Sequence, residues 1–377
     1  MIPPELNIPA STSTVNVSII NTTGTIRGVE TSRFLDPMIP GHEFLAVPCY
    51  AFLIQHPTLK RSIIFDLGIK KDFTKWPKPL HERVIQGGYV LDIPKDVREI
   101  LDEQGVDTAS IEAVIWSHWH FDHTGDPTTF EPSTALIVGP GVKEHIFPGY
   151  PANPDAAFLE ADYAGREVKE LDFAAAPGLK IGKLSALDYF GDGSFYFLDT
   201  PGHAVGHICG LARVTSNPDS FILMGGDAVH HGGEMRPHQW LPLPSDVTPH
   251  PFMPMSPSPC PGSLFEPILR NGSREEPIYI PAEKPPVGPK VHYDVPLMIE
   301  SIKKLQELDA QSNVLVVPAH DVTMLSVVDF FPKPANSFME KGWVQKTRWA
   351  FLADFARATG YEGKIPVEHM GDWSAKK

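Results

Sequence analysis

Apolar residues in this chain fall into short runs, and most runs stop at glycine, proline or aspartate. Val15-Asn16-Val17-Ser18-Ile19-Ile20 alternates with a period of two, which predicts a first strand with one face buried. Phe44 to Ile54 and Ser62 to Phe65 predict a strand pair closed by Asp66-Leu67-Gly68. Further short strands are expected at Glu112 to Trp116, Ala135 to Val138, Ile208 to Val214, Phe221 to Met224 and Val314 to Val317. Leu184 to Tyr189 and Ser194 to Leu198 form a hairpin across Gly191-Asp192-Gly193, a strong turn signal. Helical spacing is rarer. It appears at Asp96 to Gln104, at Tyr293 to Leu308, and in the C-terminal stretches Val322 to Phe330 and Ser337 to Ala358. Asn21 to His42 and Lys70 to Pro94 show no period and read as irregular, the second as a pocket wall.

This alternation of strand runs and a few helices fits one domain over 1–377, with residues 1–14 as an extended Pro- and Ser/Thr-rich arm and 322–377 as a helical extension. Proline recurs every few residues from Val229 to Pro289, a length unusual for a loop inside a compact domain. Trp240, Leu241, Leu243, Phe252, Met253, Met255, Leu264 and Phe265 make it too apolar for a free linker. Two readings have equal weight: a lid over an apolar pocket, or packing against the domain flank or a partner subunit.

The candidate chemistry sits where strands end. Ser117-His118-Trp119-His120-Phe121-Asp122-His123 follows the run Glu112 to Trp116 and gathers three imidazoles and two polar side chains. Such groups are costly to bury together without a cation, and imidazole nitrogen with carboxylate oxygen is the donor set of zinc and related divalent ions. Three more strand-like runs deliver ligand-type residues in the same way: His203 after Thr200-Pro201-Gly202, Asp227 after Gly225-Gly226, and His320 after Pro318-Ala319.

With these residues the chain resembles the metallo-β-lactamase superfamily, through His-x-His-x-Asp-His at 118–123, Thr-Pro-Gly-His, Gly-Asp and a late strand-end His. The resemblance spans about residues 45 to 320. It is nearest to the quorum-quenching branch that opens N-acyl homoserine lactones, because Thr200 to His207 matches Thr-Pro-Gly-His-x-x-Gly-His. It implies an α+β fold, an αββα four-layer sandwich with the site along one edge. It also implies two divalent metal ions per chain, Zn first, with Mn, Co or Fe accepted by the same ligands. His118, His120 and His203 are expected on one ion, Asp122, His123 and His320 on the other, and Asp227 between them. Asp66 is a candidate support for the metal-bearing loop, and His207 is expected to be structural.

The implied reaction is hydrolysis, in which a metal-bridging hydroxide opens a lactone and Asp122 helps to orient the nucleophile. One departure bears on substrate. Lactonases of this branch carry a Tyr three residues after the bridging Asp, whereas this chain has His230, whose imidazole can donate the same hydrogen bond. Three other activities share the motif: a glyoxalase II-like thioesterase, a lactam hydrolase and a mononuclear iron sulfur dioxygenase. A non-catalytic binding protein is disfavoured, since such a protein is expected to have lost ligands.

Charge narrows the partners. The formal net charge of -14 and the absence of a clustered basic stripe argue against nucleic acid. No segment reaches the length of a membrane span. Cys49, Cys209 and Cys260 are odd in number and far apart, so a disulfide framework is not expected. The expected partner is a small-molecule lactone or related carbonyl compound, the expected location the cytoplasm, and a homodimer is an allowed assembly.

Overall fold

Two mixed sheets packed face to face carry the architecture. The computed structural model describes residues 2–175, 178–286, 288, 290–370 and 373–374. Positions 1, 287, 289, 371–372 and 375–377 of the arm, the insertion and the C-terminal segment lie outside the described residues. The first sheet runs Val90–Asp92, Asn16–Arg27, Val47–His56, Arg61–Phe65, Ile111–Ile115, Ala135–Val138, Val168–Glu170. It is antiparallel as far as Arg61–Phe65 and parallel beyond. The second runs Val314–Val317, Asp219–Met224, Ile208–Ser216, Phe195–Asp199, Leu184–Asp188, Lys180–Ile181. Only its first pair is parallel.

Strand alternation sorts side chains into layers, because successive residues point to opposite faces. Phe195 and Phe197 meet Phe52, Phe65 and Ile115 between the sheets. Their neighbours Tyr196 and Leu198 face the other way, onto Met298, Ile302, Leu305 and Leu308 of the helix Val295–Asp309. Each such fully buried side chain contributes about 1.5–3 kcal/mol. On the outer face of the first sheet, Leu53, Ile64 and Val114 pack with Val97 and Leu101 of the helix Val97–Glu103. Helix, sheet, sheet and helix thus stack in four layers, as the motif resemblance implied. Among the described residues, no helix is long and apolar enough to cross a membrane.

Several elements depart from the sequence pattern. The first strand continues to Arg27, across an irregularity between Asn21 and Thr25, because backbone pairing with Val47–His56 outweighs the lost alternation. The segment 70–94 contains a helix, Lys78–Gly87. Its Pro79 sits in the first turn, where no N–H is needed, and Gly88 closes it at φ 67°. Proline here starts a helix instead of breaking one. At the C-terminus the regular parts among the described residues are Met324–Val327, Trp343–Arg348 and the 3-10 turns Ala350–Phe355 and Val367–His369.

Much of the insertion packs on this C-terminal segment: Leu243, Phe252 and Phe265 share a core with Trp349, Phe351 and Phe355. A buried ion pair anchors it further. Arg236 makes a two-point contact with Asp309, 2.8 Å at Nε, and His238 Nε2 lies 3.2 Å from the same carboxylate. Burial opposes the charge on Asp309, but Arg236 outweighs it and holds the carboxyl well below the usual range. Asp309→Asn is expected to cost roughly 3–5 kcal/mol in urea unfolding, since Arg236 keeps its buried charge without a counter-ion. The folded pKa lies below the unfolded value of about 4, so this stability is full above that pH and fades below it. The variant should therefore show a flatter acid limb.

Candidate metal centre

Strand Ile111–Ile115 leads into the loop that carries His118 and His120, and the loop runs on into the one-turn helix Phe121–Thr124, which carries Asp122 and His123. Phe195–Asp199 leads to His203, Asp219–Met224 to Asp227, and Val314–Val317 to His320. All four loops meet at one edge of the two sheets. His118, His120, His203 and Asp227 bring one ligand atom each within 4.8 Å of one another, and so do His123, Asp227 and His320. Asp227 belongs to both groups. Its Oδ2 lies 3.4 Å from His203 Nε2 and 3.8 Å from His118 Nε2. Its Oδ1 lies 3.1 Å from both His123 Nε2 and His320 Nε2. Asp122 Oδ2 stands 3.5 Å from His320 Nε2.

The orientation of these groups tests whether they suit a cation. His123 Nε2 and Asp227 Oδ1 are close, yet neither makes a hydrogen bond among the described residues, and His118 Nε2 is likewise buried without one. The opposite ring nitrogens explain why. His123 Nδ1 donates to Asp66 at 2.8 Å, and His320 Nδ1 donates to the Pro48 carbonyl at 2.7 Å. Ser117 Oγ donates to Asp66 at 2.7 Å, which leaves it to accept from His118 Nδ1 at 3.1 Å. In the neutral rings each Nε2 therefore keeps a lone pair that points at other lone pairs. That arrangement fits divalent cations, whose imidazole ligands characteristically donate their other N–H outward.

Without a cation, the protein's own charges draw protons to the same place. Burial works against charge on every group, but Asp227 pushes His123 and His320 well above the ordinary imidazole value. Those two rings hold Asp227 well below the carboxylate range against the same burial. Burial dominates at His118 and His203 and lowers both.

His207 takes no place in the cluster. Its Nδ1 donates to the Thr200 carbonyl at 2.9 Å and its Nε2 accepts from the Asp227 amide at 3.0 Å, so it aligns the Asp227 turn. Asp66, at φ 62°, is bonded to Ser117 as well as His123 and braces the metal-bearing loop. His230 is buried with Nε2 3.2 Å from Asp227 Oδ2. Burial opposes its protonation, but Asp227 and then Glu234 raise its pKa to about 9.

Two neighbours carry no sequence signal of their own. Cys49 brings its sulfur within 4.8 Å of the Asp122 and His320 ligand atoms, and His292 lies beside His203 and His230. A single Cys in a strand and a single His after a Pro-rich stretch look like core residues until the fold brings them here. A further group, His42, His231 and Asp354, is satisfied internally. His231 Nδ1 accepts from the Gly233 amide at 3.0 Å, so its proton is on Nε2, directed at Asp354, 3.1 Å away. No lone pair is left on that ring for a cation.

A cavity of about 850 Å³ opens above the centre and reaches His120, Asp122, His203, Asp227, His230 and His320. Its apolar walls include Val29, Phe34, Leu45, Val47, Leu80, Val84 and Phe121. Among the described residues of 229–289, only His230 and Gly288 line it. Leu243, Phe252 and Phe265 of the insertion are thus spent on the flank, while Met255 is exposed.

Residues 45–252 match the family model of the metallo-beta-lactamase superfamily. The chain belongs to that superfamily. Its curated relatives include Gamma-lactamase FDB1 of Fusarium pseudograminearum (strain CS3096), 45% identical over 94% of this chain and 86% of the relative. Metallo-hydrolase mfmC of Annulohypoxylon moriforme is 43% identical over 100% of this chain and 97% of its own length. Among solved structures, an N-acyl homoserine lactone hydrolase with the product N-hexanoyl-L-homoserine bound at the catalytic metal center superposes with a TM-score of 0.55. It covers 85% of this chain and 99% of its own, at 16% identity, a likeness of fold. Like other metallo-beta-lactamase superfamily enzymes of this kind, the chain is a metal-dependent hydrolase.

Proposed function

We propose that this superfamily member is a two-ion hydrolase that opens the ring of a small, largely apolar cyclic ester. The observation that carries this reading is Asp227, whose two oxygens face separate groups of imidazole nitrogens below the cavity. His118, His120 and His203 would hold one ion, Asp122, His123 and His320 the other, and Asp227 both. Zinc suits this nitrogen-rich set, and Mn, Co or Fe fit it as well. Two such ions supply a water whose pKa falls from about 16 to about 7, and positive charge for the carbonyl oxygen.

The chain's own residues arrange the reaction. Leu45, Val47, Leu80 and Phe121 hold the hydrocarbon part of the substrate and keep bulk water away from the reacting carbonyl. Asp122, in the cavity lining, accepts a hydrogen bond from the attacking water and turns a lone pair toward the carbonyl carbon. His230 presents an imidazole N–H to the ring heteroatom as its bond to the carbonyl breaks. His230→Phe is expected to lower kcat roughly 100-fold with little change in KM. Steady-state kinetics on the true substrate check this, and unchanged turnover rejects the role.

A cyclic amide is the second reading, favoured by the 45% identity to a gamma-lactamase. Nitrogen leaves less readily than oxygen and needs a proton at departure, so His230 would matter more to a lactam than to a lactone. The deciding experiment pairs metal content with hydrolysis of aliphatic lactones, an acyl homoserine lactone, a lactam and a glutathione thioester. About two ions per chain with lactone opening supports the main reading; preference for the lactam supports the second. One iron per chain, no hydrolysis and oxygen uptake with a persulfide would reject both.

A further inference from the structure

We infer that His292 is a positioning residue that decides which nitrogen of His203 faces the metal centre. This rests on the metal reading above and adds to it the device that orients one ligand. The chain of contacts has a fixed direction. His292 Nε2 is 3.0 Å from the Phe34 carbonyl, an acceptor only, so His292 carries its proton on Nε2. Its partners are that carbonyl and another imidazole, with no carboxylate bonded to it among the described residues, so the buried ring is neutral and Nδ1 holds a lone pair. His292 Nδ1 lies 3.1 Å from His203 Nδ1. One of these two atoms must donate, and only His203 has the proton to give. His203 is thereby held as the Nδ1–H tautomer with a bare Nε2, the atom 3.4 Å from Asp227 and 3.0 Å from His120 Nδ1. Asp66, Ser117 and the Pro48 carbonyl set His123, His118 and His320; His292 is the equivalent partner for His203.

The backbone holds this contact in place. The Tyr293 amide donates to the His203 carbonyl and the Asp294 amide to the Gly202 carbonyl, both at 2.8 Å, so the two loops are strapped side by side. Gly202, at φ 128°, lies so close to the helix Val295–Asp309 that a Cβ on it would stand 2.2 Å from the Met298 nitrogen. Ser301 Oγ ties the same helix to the Pro201 carbonyl at 2.6 Å. These contacts fix the backbone at 292–294 beside that at 201–203, so that the His292 ring is delivered to the His203 ring.

The test uses zinc on the full chain. His292→Phe keeps the ring volume and removes both polar atoms, and zinc binding at the His118, His120 and His203 site should weaken about 10- to 100-fold in chelator competition. The site of His123 and His320 should be unaffected. His292→Gln, whose amide can donate to Phe34 and accept from His203, should restore most of the loss, which a purely space-filling role does not predict. In the zinc-loaded wild type, two-bond proton–nitrogen correlation of the histidine rings should show Nδ1–H for His203 and Nε2–H for His292. The reverse tautomers overturn the inference even if the Phe variant fails to fold. Two zinc ions held equally by wild type and His292→Phe overturn it alone, whereas a wild type that binds no zinc overturns the metal reading and this inference together.

Discussion

Asp227→Ala is expected to abolish measurable hydrolysis and to lower bound metal from about two ions per chain to one or none. Asp227 is the residue with an oxygen in each imidazole group, at 3.4 Å from His203 and 3.1 Å from His123 and His320. Its loss removes the one anionic ligand the groups share and leaves three imidazoles on one side and His123, His320 and Asp122 on the other. A water left on one ion reverts toward the pKa of about 9 of aqueous zinc, and one with no ion toward about 16, so the hydroxide present at neutral pH falls by roughly 50-fold in the first case and by many orders of magnitude in the second. Metal analysis and rate measurements on the same preparation check this, with circular dichroism to confirm the fold. Full hydrolysis by the folded variant would sink the two-ion mechanism.

Removal of metal by a chelator is expected to lower the melting temperature sharply and reversibly. The four loops that meet at the centre come from both sheets, so a cation there bonds to groups that folding must otherwise hold together against lone-pair repulsion. At about 1,000 times its Kd each ion contributes ~4 kcal/mol to the folded state. Scanning calorimetry before chelation, after it and after zinc return is the measurement. A melting temperature that does not move with chelation would show that hydrogen bonds alone hold the loops.

The site was more legible than its surroundings, for physical reasons that can be named. Ligands delivered at strand ends leave a local trace: an apolar run, a turn residue and then His or Asp. That trace led to His118, His120, His123, His203, Asp227 and His320, which the fold brings to one edge. His292 leaves no such trace. Its partner is 89 positions away, and only the strapping of 292–294 to 202–203 reveals it. The helix Lys78–Gly87 was obscured because proline reads as a breaker in sequence but is a good first-turn residue.

The insertion shows the limit most clearly. Leu243, Phe252 and Phe265 announce burial, but periodicity cannot say against what, and tertiary packing placed them on Trp349 and Phe351 instead of over the metal edge. Local pattern was sufficient for the central strands and for the ligand-type residues at their ends, because each depends on spacing along one segment, and the motif's resemblance to a known superfamily implied the four layers. The tautomer of each ring, the sharing of Asp227 and the walls of the cavity depend on contacts between segments far apart in the chain. Those were decided by the tertiary structure alone, since the direction of a buried hydrogen bond is set by the partner it meets.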